Sequence, residues 1–482
     1  MDHAHSATNT ADSPTGDPSD APSDTPARPR TPGARVAARR DLAVRAAVAR
    51  GLVDDGARPV AALLDVATVR ESAAALRTAF AAVAADGQDV LHTFAVKAAA
   101  LVPVLRLLSD CGVGAEVASP GELALARAAG VSPAHTVLDS PAKTGAELAE
   151  ALALGIALNA DNPEELRRLD ALRPSPGARL GLRVNPQLGA GAIDAMSTAT
   201  ATSKFGVALR DEGARDWVVR AYRDRPWLTR LHCHVGSQGM PLEAMAAGVR
   251  ATYELAEEIN TAVGHRRIDT LDIGGGLPVD FTSDETSPTF DTYARLLART
   301  VPGLFSGRYA LVTEFGRSLL ARAGTVLARV EYAKSAGGRP VAVTHAGAQV
   351  AVRTVFAPEA WPLRVRAYDG RGRPKDAPPV RQDVAGPCCF AGDLVARDRE
   401  LPLLAAGDHV GLLDTGAYYF SNPFGYNSLP RPGVYGFTCG DGEATGGAEG
   451  ADGVRFLSVR EPQTLDDIVA ESGGGRPDAL LD

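Results

Sequence analysis

From Val90 to Thr313 the chain alternates short β-type runs with Ala/Leu/Glu-rich stretches of helical periodicity, a rhythm that few folds accept. The runs are Val90–Val96, Val113–Val117, Thr136–Leu138, Ile156–Leu158, Leu180–Val184, Leu228–Val235, Thr270–Ile273 and Tyr309–Thr313. Segments such as PGELALARAAG at 120–130 separate them. Strand–helix alternation implies parallel strands, because each crossover returns the chain to the same end of the sheet. Eight such units match a (β/α)8 TIM barrel, and a doubly wound open sheet shares the alternation.

The flanks read differently. Residues 1–34 are rich in Asp, Pro, Thr, Ser and Ala and bury too little apolar surface to offset chain entropy, so a disordered acidic tail is expected. The basic stretch Arg35–Gly51 reads as an amphipathic helix that opens the fold. The barrel with its lead-in is expected over 35–325. Beyond it, β-branched runs (TVLARVEYAK, PVAVTHA, LRVRAYD) separated by Gly/Pro turns predict a C-terminal antiparallel β-domain over 326–470. A polar loop falls near 439–453, and 471–482 is expected to be a disordered tail.

Composition excludes several classes. A net charge of −8 argues against a nucleic-acid partner. No apolar run reaches the roughly 18 residues that a membrane span needs, and the N-terminus lacks an apolar signal core. Cys111, Cys233, Cys388, Cys389 and Cys439 show no CxxC spacing, which fits a reducing cytoplasm.

Polar residues follow the β-runs, where barrel enzymes build their sites. The first run leads into Lys97, the second holds Glu116, and the fifth holds Arg183, a candidate ion-pair partner for Glu122. The sixth carries His232 and His234, then Gly236 and Ser237. No third ligand stands at a supporting spacing, so no metal is expected, and a flat imidazole stacked on an aromatic cofactor fits better. Gly274, Gly275 and Gly276 let backbone approach a phosphate closely. Glu314, followed by Gly316 and Arg317, puts a carboxylate where it can hold a proton on a pyridine nitrogen, the usual protein contribution to pyridoxal phosphate chemistry.

The ordered motifs FAVKA (94–98), EVASPGEL (116–123), RVNP (183–186), SKFG (203–206), HCHVGSQ (232–238), DIGGGLP (272–278), EFGR (314–317), Cys389 to Asp393, DTGAY (414–418) and YNSLPRP (426–432) resemble the bacterial diaminopimelate decarboxylases over roughly residues 45–470. That family has the alanine-racemase-like fold type of pyridoxal phosphate enzymes, shared with ornithine and arginine decarboxylases. The resemblance implies pyridoxal 5′-phosphate as cofactor, with Lys97 as its covalent anchor, His234 stacked on its ring and Glu314 at its ring nitrogen. Glu116, Ser237, Gly275, Gly276, Arg317 and Tyr418 complete the implied cofactor site. Arg317, Arg353, Phe390, Asp393 and Tyr418 are the implied substrate residues, and Cys389 the implied proton donor after CO2 leaves. The resemblance also implies a cytoplasmic homodimer with shared active sites, taking a small amino acid in lysine biosynthesis.

The chain departs from the family's motifs, in one case at a residue that contacts the substrate's far end. Where the family has Cys-Glu-Ser-x-Asp, this chain has Cys389-Phe390-Ala391-Gly392-Asp393. Phe315 replaces a proline and Ala99 an asparagine. Chemistry at the cofactor is expected to be intact, and activity on meso-diaminopimelate weak. Other amino acids, a carboxynorspermidine-like molecule or a specialised-metabolite precursor are alternative substrates. A racemase and a non-catalytic regulator are the competing classes.

Overall fold

The computed structural model describes residues 31–440 and 453–481. Residues 1–30 of the tail expected over 1–34, and most of the polar loop near 439–453, therefore lie outside the described residues, and the end of that expected tail is helical, in Pro32–Ala49.

All eight β-runs form strands. They are Val90–Ala95, Gly114–Val117, Thr136–Asp139, Ala157–Ala160, Leu180–Asn185, Leu228–His232, Thr270–Asp272 and Ala310–Phe315. Each pairs in parallel with the next, and the eighth pairs in parallel with the first, so the sheet closes. Closure decides for the barrel over the open sheet. The strands are nearly continuous in apolar residues because helices cover the outside while side chains fill the interior. Helices begin where the sequence supplies caps. Ser119 accepts from the Glu122 N–H, Thr144 and Glu147 form a capping box, and Asn162 caps the helix at Pro163–Leu172.

Register places polar side chains in one layer inside the barrel. Arg183 faces His232 across neighbouring strands, His232 faces Asp272, and Asp139 faces Asn159. These residues stand at or near the C-terminal strand ends, which is the catalytic face of such barrels.

A second, nine-stranded sheet follows the barrel. It is mixed rather than wholly antiparallel, because Arg339–Thr344 runs parallel to Pro379–Ala385 and a strand from the lead-in also joins it. Val60–Asp65 lies antiparallel to Gly324–Ala336 and parallel to Gly433–Cys439. The opening helix Pro32–Ala49 packs Ala43, Val44, Ala46 and Ala47 against Leu63, Leu327, Tyr368 and Phe437 of this sheet. Two of the basic residues of that helix form ion pairs, Arg39 2.7 Å from Asp65 and Arg40 3.2 Å from Asp284. The two bodies are tied by Asp414, whose carboxylate accepts from Arg322 at 2.9 Å and from Arg364 at 2.9 Å. That anchor pins the 414–418 turn against the barrel. Among the described residues, no helix is long and apolar enough to cross a membrane.

Candidate active site

The C-terminal ends of the barrel strands open onto a cavity of about 360 Å³. Lys97, Glu116, His234, Ser237, Gly276, Glu314, Arg317, Arg353 and Tyr418 all line it, together with Arg183, Lys204 and Phe205.

Lys97 sits in the single turn Val96–Ala98 that leaves the first strand. Its Nζ lies 2.5 Å from Glu116 Oε2, at the end of the second strand. The lysine side chain is 47% accessible from the cavity although protein surrounds it. Burial works to lower the ammonium's pKa, but the charge and hydrogen bond of Glu116, with Tyr418 and Glu314, together hold the group above the ordinary lysine range. Burial raises the Glu116 carboxyl in turn, against the pull of Lys97. The turn carrying Lys97 is held from above, where Tyr418 (φ +67°) donates its N–H to the Ala98 carbonyl at 2.7 Å.

His234 is a neutral imidazole. Its Nδ1 accepts the Gly275 N–H at 3.1 Å, which leaves the ring hydrogen on Nε2. Burial, then the charges of Arg183 and Lys97, push its pKa well below the ordinary value. Gly276 has a φ of +95°, and a Cβ there would press into the Gly236 carbonyl, so only glycine brings the backbone this close to the cavity.

Two guanidiniums meet at the opposite wall. Arg317 stands 4.6 Å and Arg353 4.5 Å from the Tyr418 ring centroid, and both also lie over Trp361. Burial, with Arg353 adding to it against the pull of Tyr418, brings the Arg317 pKa down to about 10. Arg317 Nε and Nη1 and Arg353 Nη1 are buried with no hydrogen-bond acceptor. Buried unpaired cations are costly, so this pair is built to receive an anion.

Glu314 reaches the cavity from the eighth strand with Oε1 buried and unpartnered. Burial, then the neighbouring carboxylates Asp272 and Asp139, drives its carboxyl well above the usual range. The donor set fits a phosphorylated pyridine. It offers a primary amine, an imidazole face, a carboxyl group for the ring nitrogen, a close glycine backbone and cations for carboxylate or phosphate.

Some expected residues stand elsewhere. Gly275 does not line the cavity, and its N–H is spent on His234. Asp393 is a correction. It is buried, and its carboxylate accepts the N–H groups of Ala348 at 2.6 Å and Cys388 at 2.7 Å, so it clamps two loops together and has no free face for substrate. The Glu122–Arg183 ion pair does not form. Glu122 accepts the Ala118 N–H at 2.7 Å, and the Arg183 guanidinium lies 4.3 Å from the Phe205 ring centroid. Cys389 and Phe390 do not line their own chain's cavity. Cys389 is exposed, with its N–H donated to Asn427 Oδ1 at 2.8 Å. Phe390 stacks on Phe356 at 5.5 Å and meets Tyr426 edge-on at 5.5 Å.

Sequence reasoning missed Asp139, Asn159 and Asp272 as site components, and assigned no role to Lys204 or Phe205. The available signal was a charged or amide residue in or ending a buried barrel strand, as in VLD at 137–139 and LNA at 158–160.

The sequence profile described as "Pyridoxal-dependent decarboxylase, pyridoxal binding domain" matches residues 66–321. The chain is 35% identical over 349 residues to the diaminopimelate decarboxylase of Pseudomonas aeruginosa, covering 72% of this chain and 80% of that relative. It is 32% identical over 348 residues to the diaminopimelate decarboxylase of Methanothermobacter thermautotrophicus, covering 70% and 78%. A solved diaminopimelate decarboxylase from M. jannaschii in co-complex with L-lysine superposes with a TM-score of 0.72 at 25% identity, covering 85% of this chain and 91% of that one.

Proposed function

The chain belongs to the pyridoxal-dependent decarboxylase family, and from that premise we propose that it converts meso-diaminopimelate to L-lysine and CO2 in the cavity beside Lys97. The observation that carries this reading is the meeting, in one cavity, of the Lys97–Glu116 pair, the buried carboxyl of Glu314 and two arginines with unpaired N–H groups. The enzyme is a carboxy-lyase that uses pyridoxal 5′-phosphate, which when bound supplies an electron sink for the pair left behind by the departing carboxylate.

In this proposal each residue has one task. Lys97 anchors the cofactor covalently, and must first lose a proton because only the free amine is a nucleophile. Glu116 is the acceptor at hand, since burial raises its proton affinity and it already touches the ammonium. His234, neutral and fixed by Gly275, presents a flat face to the cofactor ring. Glu314 holds the proton of the ring nitrogen. Ser237 and Gly276 stand at the phosphate, while Arg317, Arg353 and Tyr418 receive substrate carboxylate.

The working unit of this proposal is a cytoplasmic homodimer with shared sites. Cys389 is absent from its own chain's cavity and exposed beside an aromatic patch in which Phe356 is 59% and Tyr426 40% accessible. A second copy seated on that patch would cover it and take Cys389 as proton donor.

Phe390 sets the limit on substrate recognition. Its ring cannot accept a hydrogen bond from a distal ammonium, and an unpaired polar group in a closed site costs about 1–3 kcal/mol. Wild type is therefore expected to be slow on meso-diaminopimelate, and Phe390→Glu to raise kcat/KM on it by about 10- to 100-fold. Steady-state kinetics of CO2 release on both proteins test this. Wild-type kcat/KM at or above about 10⁴ M⁻¹s⁻¹, with no gain from Phe390→Glu, would contradict it.

A further inference from the structure

Beneath the cavity, His232 is fully buried between two carboxyl groups. Its Nδ1 lies 3.5 Å from Asp139 Oδ1 and its Nε2 3.5 Å from Glu314 Oε2. Among the described residues, neither ring nitrogen has a hydrogen-bond partner besides these carboxyl groups. Asp272, at the end of the next strand, completes the group, and Asn159 donates one amide nitrogen to both Asp139 Oδ2 at 3.2 Å and Asp272 Oδ2 at 3.3 Å. Three carboxyl groups thus share one buried space around a single imidazole. His234 on the same segment and Arg183, Lys143, Glu116 and Lys97 on neighbouring elements are the other charged or titratable groups acting there.

Such a cluster cannot hold three negative charges, because each added anion raises the proton affinity of the others. The roles are already divided. Burial opposes ionisation of Asp139, yet His232, a hydrogen bond with Glu314 and the charges of Arg183 and Lys143 together keep that carboxyl below the usual range, whereas Glu314 and Asp272 are raised. With a carboxyl group at each nitrogen, the His232 ring can donate to both as an imidazolium that balances Asp139, or donate to Asp139 while accepting from a protonated Glu314.

We propose that His232, paired with Asp139, is a positioning residue that sets the charge on Glu314 and thereby the protonation of the cofactor's ring nitrogen. The proposal rests on the reading that Glu314 faces that nitrogen. With His232 in place, Asp139 is neutralised and Glu314 can give up its proton to the ring. With His232 removed, Asp139 stands as an uncompensated anion beside Glu314, the proton stays on Glu314, and the ring nitrogen becomes neutral. Removing Asp139 as well lifts that anion and returns part of the effect. His232 stands outside the cavity lining and Asp139 lines it beside Glu314; in this scheme both act through Glu314.

The test is the ¹⁵N resonance of ring-labelled pyridoxal 5′-phosphate bound to the holoenzyme, read between pH 6 and 8 in wild type, His232→Gln, Asp139→Asn/His232→Gln and Glu314→Gln. The expected result is a protonated-ring shift in wild type, a neutral-ring shift in His232→Gln, and partial return in the double variant. In parallel, kcat is expected to fall about 10- to 100-fold in His232→Gln with KM within about threefold, the loss typical of a mis-set proton balance. Should His232→Gln not fold, the smaller His232→Asn carries the same expectation. An unchanged ring shift in the histidine variants while Glu314→Gln does move it would overturn the role of His232. No movement in Glu314→Gln would instead overturn the placement of Glu314 at the ring. A stoichiometric metal in wild type that is lost in His232→Gln would also overturn the proposal, because donor atoms of Asp139, His232, Asp272 and Glu314 lie within 4.8 Å of one another.

Discussion

Lys97→Ala is expected to lower turnover by roughly 10³-fold or more, the range for losing a positioned covalent and proton-transfer group, while leaving the fold intact. The lysine is set in a short turn, not in a strand, and makes one strong contact, to Glu116. Its loss therefore removes little packing. It does leave Glu116 without its counter-charge, and burial then keeps that carboxyl protonated, so the damage stays electrostatic and local. The same variant is expected to lose the visible absorbance of covalently bound cofactor. Circular dichroism, the cofactor absorbance spectrum and CO2 release measured on one preparation check all three. Turnover near the wild-type rate would remove Lys97 from the chemistry altogether.

The second large effect concerns Cys389. Cys389→Ala is expected to cost about 10²-fold or more, as removal of a proton donor does. Mixing is the sharper experiment. When Lys97→Ala and Cys389→Ala subunits are co-expressed, a mixed dimer has one site with both residues intact and one with neither. Random pairing then returns about a quarter of wild-type activity, because half the dimers are mixed and half of their sites are whole. Mixed dimers isolated with two different affinity tags and assayed for CO2 release give the answer. No recovery in such dimers would mean that each site is completed within one chain.

Much of this architecture was legible in the sequence, and the exceptions have physical reasons. Parallel strands covered on both faces read as continuous apolar runs, so all eight barrel strands stood out. Their ends were less clear. The run Leu228–Val235 overshoots the strand Leu228–His232, because the segment at 233–235 stays apolar while it bends to carry His234 into the cavity. The strand Val60–Asp65 was invisible as part of the second sheet, because both its partners pair with it from 260 residues or more later in the chain and VAALLD has no alternation to mark it. Lys97, Glu116, His234 and Glu314 could be named because they follow or end β-runs inside ordered motifs. Asp139 and Asn159 could not, since an apolar run does not say which of its residues point into a barrel. Asp393 misled for the opposite reason. It stands four residues from Cys389, but its carboxylate turns inward to clamp the loops at Ala348 and Cys388.

The central claim is that this cavity removes a carboxylate and protonates the carbon it leaves. The direct measurement is turnover of meso-diaminopimelate in D2O by the holoenzyme, following CO2, lysine and deuterium together. The account predicts CO2 and lysine in equal amounts, with one deuterium at the carbon that lost the carboxylate. Deuterium exchanged into recovered diaminopimelate with inversion at that carbon, and without CO2 release, would contradict it and make the protein a racemase.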